Sequence, residues 1–303
     1  MVQVVAETPA DELAADPVTV LTDPLAATVA QVCTQLRLGE RYPDAVGPVT
    51  PVVLRRRQNA IVRCDPYPVI AKVANWTGTV RREPERQLRN EVGLARWAGS
   101  RQVAVLTPLP GHLCGPHEVD GIILTLWPLW EEARPATDPG ALGKSLAALH
   151  RATAGYPGKL LGPTQIAQDA DGVMTMLAQA GVLPADEAML VADEALDAAQ
   201  ALQKLIAELP PEKLTVLHGD AVRENTWQRA GDPGWFDLED TWRGPVEWDL
   251  ACLSLTPGWS PRQAEIAIRA YCLDAGHTLD EELLHACRRL RHAQLEAWQA
   301  VGH

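Results

Sequence analysis

The sequence predicts an α+β fold in two parts: a five-stranded antiparallel sheet carrying one helix, then a larger and mainly helical part. Three observations predict it. β-Rich apolar runs crowd the stretch from Val49 to Leu126, and the pattern turns helical after Trp127-Pro128. Inside the helical part, two short apolar runs, Leu214 to Leu217 and Trp235 to Leu238, each deliver an acidic residue at or near the C-terminal end.

Taken in order, residues 1–48 read as an N-terminal extension. An acidic, Pro-punctuated lead precedes a helix from Pro24 to Leu38, whose Leu25, Val29, Val32 and Leu36 recur at helical spacing. Residues 49–127 hold the strands Val49 to Leu54, Ala60 to Cys64, Val69 to Ala74, Val103 to Leu106 and Gly121 to Leu126. A helix from Glu83 to Ala98 interrupts them. Pro84 suits its first turn, Gly99 its end, and Leu88, Val92 and Ala95 its apolar face. Residues 128–303 read as helices opened at Asp138-Pro139 and continued over Thr164 to Ala180, Ala185 to Leu209, Val246 to Leu255, Pro261 to Ala275 and Leu279 to Val301. Between them, Thr226 to Leu238 has the alternation and the Gly231-Asp232-Pro233-Gly234 turn of a hairpin.

Composition narrows the class. A chain of 303 residues buries a substantial core. The start of the chain has no basic lead or sustained apolar core and does not read as a secretory signal. The longest apolar stretch, Gly121 to Trp130, is too short for a bilayer, which needs about 20 residues. Six cysteines lie scattered, with no CxxC pair and no His at metal spacing, as expected of a reduced, cytoplasmic protein. The net charge of −12 is uneven: Met1 to Trp127 has 13 basic and 13 acidic residues, and Pro128 to His303 has 14 and 26. An acidic second part suits a cationic substrate, and it equally serves solubility. No basic stripe invites nucleic acid.

The chemistry converges on Val216 to Asp240. The hairpin brings Asn225 close to Asp237, and Asp220 precedes Asn225 by five residues, so that one loop presents a carboxylate and a carboxamide. His218, Asp220, Asn225 and Asp237 form the set that phosphoryl transfer from a nucleotide requires: one acid to orient a hydroxyl and two oxygen ligands for Mg²⁺.

The stretches LHGDAVREN, WFDLED and GPVEWDLA, in this order and at close spacing, resemble the catalytic core of the aminoglycoside phosphotransferase and choline kinase family. The resemblance runs from about Val49 to the end of the chain and implies a bilobal, protein-kinase-like fold. It also implies ATP or GTP as donor with Mg²⁺. The acceptor is then the hydroxyl of an aminoglycoside-like antibiotic, another antibiotic, a sugar or an amino alcohol, with the acidic second part favouring an amine-bearing one. In these terms Asp220 is the catalytic base, Asn225 and Asp237 hold the metal, and His218 and Asp249 support the loop. For Glu239, help through a metal-bound water or a substrate amine stands beside an exposed strand carboxylate.

Lys72, the first lysine of the chain, sits inside an apolar strand where an unpaired ammonium would be costly. Glu91, 19 residues on and next to the Leu88/Val92 face, is its candidate partner, and the pair would grip the α and β phosphates. The opposing reading leaves Glu91 on a solvent-facing helix among arginines. The resemblance further implies nucleotide contacts at Asn59 and along Thr125 to Pro128, Trp127 included, where backbone groups would read the adenine edge. One departure stands out. The loop between the first two strands, Arg55-Arg56-Arg57-Gln58-Asn59, has no glycine to let backbone N–H groups approach a phosphate, which leaves arginine side chains for that task. The rivals to a kinase are a nucleotide-binding module without turnover, which this loop favours, and an acidic helical interaction protein, which leaves Lys72 and the carboxylates unexplained. Trp235, Trp242, Trp248 and Trp259 are expected to pack between helices.

Overall fold

Five strands form one antiparallel sheet in the order β1-β2-β3-β5-β4: β1 (Thr50–Arg56), β2 (Asn59–Asp65), β3 (Val69–Ala74), β4 (His117–Val119) and β5 (Ile122–Pro128). The computed structural model describes residues 23–130, 134–228 and 233–301. The expected sequence runs supply four of the strands; the fifth is a correction. Val103 to Leu106 stays out of the sheet and runs beside the hairpin of the helical part, where Leu106 N donates to Trp235 O at 2.9 Å and Trp235 N to Ala104 O at 2.9 Å. Its place is taken by β4, which returns into β5 through Asp120-Gly121 at φ 51 and 78. Both residues are left-handed, the geometry a two-residue Asp-Gly turn provides.

Helix α1 (Pro24–Gln35) opens with Asp23, whose carboxylate accepts from Leu25 N at 3.0 Å, and it ends before Arg37, which is left-handed at φ 51. The expected helix to Leu38 is therefore shorter, and one turn, α2 (Leu38–Arg41), follows it. Leu25, Val29, Val32 and Cys33 are buried in the core that the sheet shares. A short helix absent from the sequence reading, α3 (Trp76–Val80), precedes α4 (Pro84–Gly99).

The helical part contains α5 (Pro139–Thr153), α6 (Pro163–Gln179), α7 (Ala185–Ala207), α8 (Glu247–Ser254), α9 (Pro261–Ala275) and α10 (Glu281–Ala300). Helices α1, α4, α5, α6 and α9 all begin on a proline, whose fixed φ fits the first turn and whose missing N–H would have had no helical partner. Two pairs of short strands place the loops between α7 and α8. Strands β6 (Leu214–Val216) and β9 (Arg243–Pro245) pair, and β7 (Thr226–Trp227) pairs with β8 (Gly234–Trp235). The tip of this last hairpin, at 229–232, lies outside the described residues. The expected strand Trp235 to Leu238 stops early because Asp237 turns left-handed at φ 64. Trp235, Trp242 and Trp248 are fully buried packing residues.

Candidate active site

The loop after β6 is held by backbone hydrogen bonds to one buried carboxylate. Asp249, in the first turn of α8, accepts from His218 N at 2.7 Å and Gly219 N at 3.0 Å, and its Oδ2 lies 2.8 Å from His150 Nε2. His150, on α5, reaches Tyr271 of α9 through Nδ1 at 2.8 Å, so three helices fix this anchor. Burial alone would raise the Asp249 carboxyl, but the His150 hydrogen bond and the loop N–H groups outweigh it and hold the group below the usual range. Gly219 is at φ 91, and a Cβ there would lie 1.9 Å from the Asp240 carbonyl oxygen, so only glycine lets the two loops meet. Burial pushes the His218 pKa down. The neutral ring donates from Nε2 to Phe236 O at 3.0 Å and accepts from Asp220 N at 3.3 Å.

This anchor presents Asp220. Its Oδ2 accepts from Asn225 Nδ2 at 2.8 Å, and the same amide group donates to the Asp220 carbonyl at 3.0 Å, which leaves Asn225 Oδ1 as the acceptor atom facing outward from that pair. Asp220 Oδ1 takes a hydrogen bond from Arg291 on α10, a residue without a signal in the sequence. Arg291 is 5 % exposed and also donates to Gln294 Oε1 at 2.7 Å. Burial works against its charge, and Asp220 more than restores it, raising the pKa.

Lys72 and Glu91 meet at 2.8 Å, with Lys72 at 6 % and Glu91 at 2 % exposure. Lys72 also bonds Asp237 and lies 2.9 Å from Glu239 Oε2. The strand period does not align Asp237 with Glu239, since the left-handed Asp237 ends the strand; both instead converge on one ammonium. Glu239 is a buried clamp rather than an exposed strand carboxylate. It accepts from Asn59 Nδ2 at 2.8 Å and sits 3.1 Å from Arg81 NH1. Arg81, missed in the sequence, comes from the turn between α3 and α4 and also pairs with Asp169 at 3.1 Å and with Asp240, while its guanidinium lies 5.9 Å from the Trp298 ring centre. It ties the sheet part to α6, α10 and the β8–β9 loop.

The charges do not balance. Lys72 and Arg81 are bonded to five carboxylates, Glu91, Asp169, Asp237, Glu239 and Asp240. Burial works against the Lys72 ammonium, yet Asp237, Glu239 and Glu91 raise its pKa well above the ordinary value. Burial would also raise Glu239, but Lys72 and Arg81 hold it at about 2. Glu91 is left with the deficit: burial, joined by Asp237 and Glu239, outweighs Lys72 and pushes it from 4.5 up to about 8. Asp240 is raised by burial to about 7.

A pH dependence follows, with signs set by each group. Glu91 and Asp240 hold a proton more tightly folded than unfolded, so the ligand-free protein is expected to lose stability as pH rises from 4.5 towards 8. Glu239 and Asp249 act oppositely, and their stabilisation is lost as pH falls through their depressed values. Unfolding free energy across this range should peak in mild acid and decline by an amount on the order of several kcal/mol towards pH 8, with the thermal midpoint falling in parallel. A flat or rising profile would contradict the charge surplus.

Asn225 and Asp237 suit a hard divalent cation, because their free atoms are oxygens and the surrounding cluster is short of positive charge. Among the described residues no three His, Cys, Asp or Glu side chains form a metal cage.

These groups line a cavity of about 470 Å³ between the sheet and the helical part, in the size range of ligand sites. Ile61, Ile70, Leu106, Trp127, Val222 and Phe236 give it apolar walls. Trp127 faces it, and Thr125, two residues earlier on the same face of β5 and opposite Lys72 in the sheet, accepts from Trp127 Nε1 at 2.9 Å; Thr125 is fully buried beneath these side chains and does not itself line the cavity. Asn59 touches the cavity, although its amide is committed to Glu239 and its Oδ1 accepts from Thr77 at 2.6 Å. The glycine-free turn is tethered by α3 and its cap: Asn75 donates to Arg57 O at 2.8 Å and Thr77 N to Gln58 O at 3.1 Å. Arg55 and Arg57 line the cavity, and Arg56 instead pairs with Asp23. At the strand exit Pro128 has no N–H and Leu129 N donates to Pro68 O at 2.9 Å.

The structure is similar to several solved kinases. An amicoumacin kinase in complex with AMP-PNP, Ca²⁺ and Ami aligns with a TM-score of 0.64 at 14% identity, over 91% of this chain and 89% of that one. Choline kinase LicA from Streptococcus pneumoniae aligns with a TM-score of 0.59 at 15% identity, over 87% and 89%. An aminoglycoside-3'-phosphotransferase of type VIII aligns with 0.56 at 19% identity, over 87% and 98%. At these identities the likeness shows the fold, which is the kinase-like one expected from the sequence. The sequence matches no curated protein. The profile of the phosphotransferase enzyme family, however, matches residues 50–285, from β1 to the first turns of α10 and across every loop described above. The chain belongs to the phosphotransferase enzyme family.

Proposed function

We propose that the chain is a small-molecule kinase that transfers the γ-phosphate of ATP or GTP to a hydroxyl, with residues 49–127 gripping the nucleotide and residues 128–303 carrying the catalytic loop and the acceptor. The observation that carries this reading is Lys72, held 2.8 Å from Glu91 and bonded to Asp237, in the same 470 Å³ cavity as Asp220 and Asn225. Asp220 accepts the hydrogen bond of the acceptor hydroxyl and aligns its oxygen for in-line attack; Asn225 and Arg291 fix the carboxylate while each oxygen keeps a lone pair for the substrate. Lys72 places its ammonium against the α and β phosphates, and Arg55 and Arg57 supply the donors that a glycine-rich turn would otherwise provide. Asn225 and Asp237 would hold Mg²⁺, which when bound neutralises charge on the phosphate oxygens. His218 and Asp249 orient the loop and take no proton from substrate. With all six cysteines free and buried or half-buried, and no described helix long and apolar enough to cross a membrane, a reducing cytoplasm is the compartment that fits this activity.

Thermal unfolding with Mg²⁺ and ATP, GTP or neither tests the nucleotide half of the proposal. A ligand that binds only the folded state stabilises it by about 2.7 kcal/mol at one hundred times its Kd. The midpoint should rise with Mg²⁺ and one nucleotide together and fail to rise with Mg²⁺ alone. Nucleotide binding without transfer to any acceptor would favour the non-catalytic module.

A further inference from the structure

The chemical class of the acceptor can be read from the cavity's charges, on the premise that the cavity is the phosphotransfer site proposed above. Among the described residues its lining contains four basic residues, Arg55, Arg57, Lys72 and Arg291, and four acidic ones, Glu91, Asp220, Glu224 and Asp237. Acid and base are therefore even in the described lining, against a net charge of −12 for the chain. Every carboxylate of the described lining is already paired: Glu91 and Asp237 with Lys72, Glu224 with Arg223 at 3.1 Å, and Asp220 with Arg291. The wall supplied by α10 and the chain leaving α8 consists of Leu255, Pro257, Leu295 and Arg291. Arg291 and Leu295 are one helical turn apart on the same face of α10. Leu255 and Leu295 also line an adjoining hollow of about 540 Å³, whose remaining lining is His292, Glu296, Gln299 and Ala300.

An ammonium group entering this site would leave water and find the reactive carboxylate already neutralised by a buried guanidinium. A cation desolvated beside an Asp–Arg pair gains no unpaired partner and meets a like charge. An apolar skeleton, in contrast, removes its own surface and that of Leu255, Pro257 and Leu295 from water. We infer that the acceptor is an uncharged alcohol on an apolar skeleton, and that Arg291 acts as the specificity-determining residue that turns amine-bearing acceptors away. The acidic composition of the helical part favoured the opposite expectation; the described lining departs from that composition, with four acidic residues matched by four basic ones.

The test uses matched pairs of alcohols on one skeleton, terpenoid alcohols and alkyl glycosides, with and without a primary amine. Transfer of labelled γ-phosphate from Mg²⁺-ATP is followed for each member at pH 7, with a simple aminoglycoside as a further acceptor. The neutral members should be preferred by at least about 100-fold in kcat/KM, a floor below the roughly 10⁴-fold discrimination a site reaches when a buried polar group is left unpaired. Arg291→Gln should narrow that preference at least about tenfold; a merely structural loss would lower both members alike. Leu295→Glu, which leaves the Asp220 pair intact, should shift preference towards the amine and serves if Arg291→Gln does not fold. Equal use of both members, preference for the amine, or phosphorylation of the aminoglycoside alone would overturn the inference while the kinase reading stood. If no neutral acceptor is phosphorylated although nucleotide raises the melting midpoint, the acceptor class is wrong; if nucleotide does not bind either, the kinase reading falls with it.

Discussion

Replacing Asp220 by Asn is expected to lower phosphoryl transfer by about three orders of magnitude while nucleotide still raises the melting midpoint. An oriented side-chain base contributes about 10²–10⁴-fold. The carboxamide retains the shape of the carboxylate but not the charge that draws the acceptor's proton. The substitution has a second consequence that must be separated from the first. Arg291 is 5 % exposed and its NH2 group is bonded to Asp220, so the variant leaves a buried guanidinium without its counter-charge. Breaking a buried pair costs about 3–5 kcal/mol; the 26% exposure of the Asp220 side chain keeps this site towards the lower end. Asp220→Asn combined with Arg291→Gln removes both charges, and is expected to regain stability without regaining turnover. Recovery of turnover in the double variant would mean that Asp220 serves only to neutralise Arg291.

Lys72→Met should combine the loss of nucleotide response with a marked loss of stability. Lys72 is bonded to three carboxylates, Glu91, Asp237 and Glu239, and Glu91 is buried with its Oε2 atom making no hydrogen bond. Removing the ammonium leaves Arg81 as the cation bonded to Glu239 and nothing described bonded to Glu91. The expected cost is about 3–5 kcal/mol, most of it in uncompensated buried charge. Adding Glu91→Gln removes a buried acid that would otherwise have to hold a proton without its Lys72 partner, and should restore part of the stability and none of the nucleotide response. Calorimetric unfolding of the two variants with and without Mg²⁺-ATP measures both effects. A Lys72→Met protein that melts like the parent and still responds to nucleotide would show that the cluster holds neither the fold nor the phosphates.

Local rules made most of the helices and the sheet legible. Prolines stood in the expected first turn of four helices, the strand β3 has the bounds its apolar run predicts, and the ammonium of Lys72 in that strand required an anion that Glu91 supplies at 2.8 Å. The catalytic loop was legible because its partners lie within one short stretch: Asn225 bonds Asp220 five residues away and His218 bonds Phe236. What stayed hidden depends on distant contacts. Asn59 meets Glu239 across 180 residues, and Arg291 meets Asp220 across 71. Arg291 follows Arg288 and Arg289 on the same helix, and nothing in their spacing tells which one turns inward. Arg81 sits in a turn, where no periodicity announces burial. The β4 strand was passed over although Asp120-Gly121 is a hairpin signal, because a run of three residues, His117 to Val119, offers too little alternation to stand alone. Thr125 was placed at the nucleotide through resemblance; it lies on the cavity face of β5 but is fully buried, with the Trp127 ring nitrogen bonded to its hydroxyl, and a strand pattern does not tell a buried residue of a face from an accessible one.

Phosphorus NMR of the protein with Mg²⁺-ATP and a neutral alcohol tests phosphoryl transfer most directly, because it distinguishes a phosphate ester from free phosphate. The proposed chemistry predicts a phosphomonoester resonance that grows with ADP, requires both acceptor and Mg²⁺, and disappears in Asp220→Asn. Binding of nucleotide with only inorganic phosphate formed, or with no product at all across the acceptors, would contradict it.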